Sequence, residues 1–157
     1  MSITIAVPRE TASGERRVAI VPSVIKQLDK LGVTLRMQRG AGEAGGFTDD
    51  LYEGATLVDD TSALYDGADI VLRVQPPSVE EAGKLPEGSL LLGFLTPHEG
   101  DSRIKNLQKR RVSSFALELV PRIADRVVVV GLVHIVIVEE VLVITVDLDT
   151  RARGIVA

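Results

Sequence analysis

The sequence predicts an α/β fold: a mainly parallel sheet with helices on both faces, followed by a short β-rich C-terminal tail. Three observations carry this. Runs such as ITIAV are apolar throughout, as strands are when both faces of a parallel sheet are covered. Strand-like and helix-like stretches alternate at short, regular spacing. The 157 residues, 45% hydrophobic and 25% charged, have the composition of a globular domain with one core of ordinary size.

In order, ITIAV (3–7) is a buried strand that stops at Pro8, and the polar loop PRETASGERR follows. VAIVP ends a strand and leads into a helix. Val24, Ile25, Leu28 and Leu31 form the apolar stripe of that helix, and Gly32 stops it at the position after the cap. VTLRMQ (33–38) alternates as a strand. RGAGEAGGF (39–47) is a glycine loop, and TDDLYEGA (48–55) reads as a helix start capped by Thr48 or Asp49. ATLV (55–58) is a short strand, and DDTSALYDGAD is a short helix ending near Gly67. DIVLRVQPP (69–77) is a strand terminated by Pro76, SVEEAGKL a helical turn, and GSLLLGFLTPH (88–98) a buried strand. SRIKNLQKRR (102–111) is an amphipathic helix, and VSSFALELVPR (112–122) a strand running into a turn.

The bulk numbers exclude several classes. Aromatic residues make up 3% and Trp is missing, which argues against a base-stacking surface. A net charge of −4 argues against nucleic acid as partner. Without cysteine there is no disulfide, thiolate metal site or Cys nucleophile. His98 and His134 are too few and isolated for a zinc site, so no metal ligand is assigned. The first residues, MSITIAVPRE, do not read as a signal peptide. The apolar segment 127–148 is interrupted by Glu139 and Glu140, which argues against a membrane span.

In parallel sheets ligands sit beyond the carboxyl ends of the strands. Arginines and prolines punctuate most of those ends here. Arg16 and Arg17 read either as an anion clamp or as solvated surface charges. Gly40, Gly42 and Gly45 have G-x-G-x-x-G spacing but do not open a helix, so a tight structural loop is favoured over a phosphate cradle. Gln75 could bond a ligand carboxamide or carbonyl, or simply end a strand. His98 reads as a bystander more readily than as an acid or base. Glu118, in a predicted strand, needs a partner such as Arg122 or Arg17 if buried.

IAVPRE, GERRVAIVP, QRGAGEAGGFTD, ADIVLRVQPP and FALELVPRI occur in order over residues 3–123. Together they resemble the N-terminal domain of the family that joins alanine dehydrogenase to the α subunit of nicotinamide nucleotide transhydrogenase. The resemblance implies a lysine at the end of the LRVQPP strand and a histidine at the end of the next one in the alanine branch. Gln75 and Thr96 stand there, which places the chain nearer the transhydrogenase branch. It further implies that Arg122, in Val120-Pro121-Arg122-Ile123, approaches the nicotinamide carboxamide of NAD(H). Arg122, Gln75 and Arg17 are therefore the candidate cofactor contacts, and no catalytic residue is assigned. In that enzyme hydride passes from NADH to NADP⁺ on another subunit, coupled to proton translocation. The step needs two aligned rings and no acid or base.

The pattern departs from the family after Arg122. Val127 stands where a glutamine is expected, and no Ser or Asp partner follows in place. VVVVG and VITVDLDTR could be two strands of a dinucleotide fold, with Asp147 or Asp149 on the ribose. The second and third glycines and the linking helix are missing, however. The organisation expected is thus an α/β domain over 1–125 and a β-rich tail over 126–157, a hairpin around Glu139-Glu140 that completes the sheet. ITVDLD and RGIVA also resemble the C-terminal segment of the same α subunit, as in a chain that skips the nucleotide domain. The expected function is a truncated α subunit that assists NAD(H) binding, cytoplasmic or peripheral at the membrane. NADP(H) and the membrane part would lie on partner subunits, and strand-mediated homo-oligomers are expected. The alternatives are a non-catalytic remnant or interaction module and an alanine dehydrogenase-like oxidoreductase.

Overall fold

The computed structural model describes residues 3–97 and 101–119, and the backbone of strand residues 128–130, 133–138 and 141–146. The chain divides into two compact units, Met1–Glu118 and Leu119–Ala157.

The first unit is a six-stranded, all-parallel sheet. Its strands are β1 (Thr4–Val7), β2 (Thr34–Gln38), β3 (Thr56–Val58), β4 (Ile70–Leu72), β5 (Leu90–Gly93) and β6 (Ser113–Ala116). Their order is β3-β2-β1-β4-β5-β6, every pair parallel. The chain builds outward from β1 in one direction, then crosses to β4 and builds outward in the other. The topological switch point therefore lies between β1 and β4.

Alternate strand residues face opposite sides of the sheet. Ala6, Val71 and Leu91 pack on one side against Leu64 and Tyr65 of α2 (Thr61–Tyr65), Ala82 of α3 (Val79–Lys84) and Leu107 of α4 (Asp101–Lys109). Ile5, Val7, Leu35, Met37, Ile70 and Leu72 are buried as well, in the alternate register. α1 (Ile25–Lys30), which contacts β2, buries Ile25 and Leu28. Aliphatic side chains thus cover both faces, as an all-parallel sheet requires.

Several elements differ from their sequence reading. Residues 18–21 form no strand; the chain enters a 3₁₀ turn at Pro22–Val24 and then α1. Leu31, read as the end of the apolar stripe, is 46% exposed because α1 has already ended. Gly32 takes φ +69°, its N–H donating to Asp29 and that of Val33 to Leu28, a Schellman closure. TDDLYEGA makes one 3₁₀ turn, Asp49–Leu51; the Asp49 carboxylate instead accepts the Gly40 N–H at 2.9 Å. Glu118 falls in a 3₁₀ turn, Leu117–Leu119, beyond the end of β6.

In the second unit, β7 (Val128–Val130), β8 (Val133–Val138) and β9 (Val141–Val146) pair antiparallel in the order β7-β8-β9. Val138 stands opposite Val141, so the β8–β9 hairpin brackets residues 139–140. A dinucleotide fold would need parallel strands here. Among the described residues no helix is long and apolar enough to cross a membrane.

Candidate functional site

The candidate site is the carboxyl-terminal rim of the first sheet at the β1/β4 switch point. Loop 8–17 leaves β1 there, and residues 73–75 leave β4 beside it. Backbone pairing continues past β4: the Arg73 N–H donates to Leu92 and that of Phe94 to Val74. Gly93 permits this closeness, since a Cβ on it would lie 2.4 Å from the Arg73 carbonyl oxygen.

Two of the three candidate contacts meet on one carboxylate. Arg17 donates to Glu15 through Nε (2.9 Å to Oε1) and Nη2 (2.7 Å to Oε2). The Gln75 Nε2 donates to Glu15 Oε2 at 2.6 Å. The Glu15 side chain is 6% exposed and that of Arg17 61% exposed, so the carboxylate is inside and the guanidinium faces outward. The Arg17 bond above all, with the Gln75 amide, holds the Glu15 carboxyl down at about 2 against the effect of burial. The Arg17 guanidinium also lies 5.9 Å from the Phe94 ring centroid, within cation–π reach. Arg17 is thus exposed to solvent but not free. It is half of an ion pair that presents a guanidinium edge beside an aromatic ring.

Below this layer is a buried ionic cluster. Arg73 is 3% exposed at the end of an apolar strand. Its Nη2 lies 3.8 Å from Glu10 Oε2 and its Nη1 3.1 Å from Glu81 Oε2. The second contact lacks hydrogen-bond alignment, and neither Arg73 Nε nor Nη1 has a hydrogen-bond partner among the described residues. Glu10 accepts the N–H of Val74 at 2.7 Å and that of Gln75 at 3.2 Å. Burial pushes the Glu10 carboxyl above its usual range despite those bonds and Arg73. Glu10, Glu15 and the anchoring role of Arg73 were missed in the sequence. An arginine inside IVLRV was the available signal, because a buried guanidinium must find carboxylates.

On the other flank, Glu118 accepts the N–H of Leu95 at 2.9 Å and of Thr96 at 2.6 Å; Arg17 is not among its described partners. These bonds, with Arg103, outweigh burial and lower its carboxyl. Thr96 sits at φ +40°, a left-handed conformation rare for a β-branched residue. Arg103 Nη2 holds it by donating to its carbonyl and hydroxyl, each at 3.2 Å. Two glycines of the loop serve close packing: a Cβ on Gly42 would lie 2.5 Å from the Tyr52 hydroxyl, and one on Gly45 2.9 Å from the Arg16 carbonyl. Arg122 and His98 lie outside the described residues. Among the described residues no His, Cys, Asp or Glu group could hold a metal ion.

Residues 6–134 match the family model of the alanine dehydrogenase/PNT N-terminal domain. The chain belongs to this family. It is 35% identical over 122 residues to the NAD(P) transhydrogenase subunit alpha of Cereibacter sphaeroides, covering 76% of this chain and 23% of that one. It is 36% identical over 118 residues to the alanine dehydrogenase of Halomonas elongata, covering 74% of this chain and 32% of that one. The fold superposes on the crystal structure of transhydrogenase from Sinorhizobium meliloti with a TM-score of 0.71 at 29% identity, over 77% of this chain and 36% of that one. The chain therefore spans about a quarter to a third of the curated relatives it matches. Likeness extends to both branches, and the expectation of an α/β, transhydrogenase-related N-terminal domain holds.

Proposed function

We propose that this chain is an α-subunit-type domain of NAD(P) transhydrogenase that presents Arg17, Gln75 and Arg122 to NAD(H), while another module holds the coenzyme's phosphates. Hydride would pass from NADH to NADP⁺ on a partner subunit, coupled to proton translocation, with the chain cytoplasmic or peripheral to the membrane. The observation that carries this reading is the chemistry of the rim. Arg17 and Gln75 converge there on Glu15, an uncharged amide standing where the alanine branch places a lysine. Thr96 stands where that branch places a histidine, and a threonine hydroxyl cannot shuttle a proton near neutral pH as imidazole does.

The described residues do not fit the phosphate end of a dinucleotide. The crevice at the switch point contains the Glu10 and Glu15 carboxylates, which repel an anion. In the glycine loop, Gly42 and Gly45 serve packing against Tyr52 and the Arg16 backbone, which favours a structural turn over a phosphate cradle. An amide-bearing ring is compatible with the rim, since Gln75 and Arg17 offer donors beside Phe94. A nicotinamide coenzyme supplies the hydride; this chain's part is to orient its ring.

Isothermal titration tests the division of labour. The chain alone is expected to bind NADH more weakly than about 100 μM, roughly 5.5 kcal/mol. Tighter binding would overturn the claim that the phosphates are held elsewhere. Pyruvate- and ammonia-dependent oxidation of NADH would instead establish the alanine dehydrogenase reading. The Val/Ile-rich tail supports self-association through strands. A clean monomer in size-exclusion chromatography at high concentration would remove that part of the proposal.

A further inference from the structure

Loop 8–17 does not turn away from the rim after β1; it crosses it and is tied down on both sides. Toward β2, the Arg9 N–H donates to Gln38 Oε1 at 3.0 Å and Arg16 Nε to the Ala44 carbonyl at 3.1 Å. Toward β4, the ties run through carboxylates. Glu10 accepts the Val74 and Gln75 N–H groups, Glu15 accepts the Gln75 side chain, and the Thr11 hydroxyl donates to Glu81 at 3.3 Å.

Glu10 differs from the other ties in its partner, the buried Arg73 guanidinium. Its side chain is 4% exposed and that of Arg73 1% exposed. Neither charge persists out of water unpaired, and a buried pair is favourable only if further hydrogen bonds satisfy it. The carboxylate meets that condition by capping two backbone N–H groups that continue β4. The bond to the Gln75 N–H fixes the backbone from which the Gln75 side chain reaches Glu15. The same loop carries Arg17, six residues after Thr11.

We propose that Glu10 is the positioning residue of this rim. Its carboxylate, seated on buried Arg73, straps loop 8–17 to the end of β4 and so sets where Arg17 and Gln75 stand. The strap is independent of which ligand the rim meets, so its test does not depend on NAD(H).

Glu10→Ala removes both acceptors from Val74 and Gln75 while leaving Glu81 beside Arg73. The loop is then expected to open while the sheet stays folded. Arg9, Arg16 and Arg17 make the loop a trypsin substrate when open, and cleavage follows the open population when closing is fast. Cleavage after Arg16 and Arg17 should rise by about tenfold or more, as expected for losing two charge-assisted bonds, with sites at Lys105 and Lys109 in α4 unchanged. Glu80→Ala, which removes an exposed carboxylate paired with Lys84, should change neither. An unchanged loop, or a rise at all sites in parallel, would overturn the proposal, the latter because it marks general destabilisation. Should Glu10→Ala fail to fold, hydrogen exchange on the unaltered chain decides. The Val74 and Gln75 amides, which bond to Glu10 and not within the sheet, should be protected well above free-chain rates. Exchange of both at free-chain rates, with Arg73 protected by its bond to Leu92, would overturn it.

Discussion

Glu15 is the residue on which the rim's electrostatics turn. Its carboxyl is held at about 2 in the folded chain, against an ordinary value of 4.5, chiefly by Arg17. A depressed value means that the unfolded chain binds the proton more tightly. Glu15 therefore contributes its full stabilisation above pH 4.5 and loses it as the pH falls toward about 2. Glu10 works in the opposite sense, because burial raises its carboxyl and its ionisation costs stability. The Glu15 contribution is isolated by difference: denaturant midpoints of Glu15→Gln should fall less steeply with acid than those of the unaltered chain. Equal acid slopes would contradict the assignment. At this scale the sequence was only half legible. Arg17 and Gln75 were readable as polar groups at strand ends. Glu10 and Glu15 were not, because the Val74 and Gln75 groups they accept from lie some sixty residues away and only the fold brings them together.

The elements were legible where local chemistry decides them and less so where tertiary contacts do. The apolar runs of β1, β4 and β5 announce buried strands, and Gly32 ends α1 as its freedom at positive φ suggests. Strand ends were overestimated. Pairing with β5 reaches only Val74, where the next N–H groups turn to Glu10, and β6 gives way after Ala116 to a turn that brings Glu118 to Leu95 and Thr96. α3 begins with a reciprocal capping box: the Ser78 hydroxyl accepts the Glu81 N–H and the Glu81 carboxylate accepts the Ser78 N–H. Glu81 thus links the start of a helix to Arg73. Ser78→Ala should cost about 1 kcal/mol, within the usual range for a lost cap, measured by equilibrium denaturation. A change under about 0.3 kcal/mol would mean that packing of Ala82 alone holds this helix.

For the whole molecule, the order of strands decides where function can reside. A sheet that reverses its winding between β1 and β4 opens its crevice there. In this chain that crevice is filled from within by loop 8–17, with carboxylates toward the strand ends and a guanidinium outward. The fold class followed from alternation of elements and the apolar strands. The filled crevice did not, since no local pattern says which way a loop turns. On the proposed function, a domain built this way would meet the coenzyme at its outer edge rather than enclose it. The most direct test is an NADH titration of the ¹⁵N-labelled chain at about 1 mM and above, where binding of roughly 4 kcal/mol is detectable. The account predicts that the Arg17 Nε and Gln75 side-chain resonances move while the Gly40, Gly42 and Gly45 amides stay in place. Movement of those glycines, with Arg17 and Gln75 unperturbed, would contradict it.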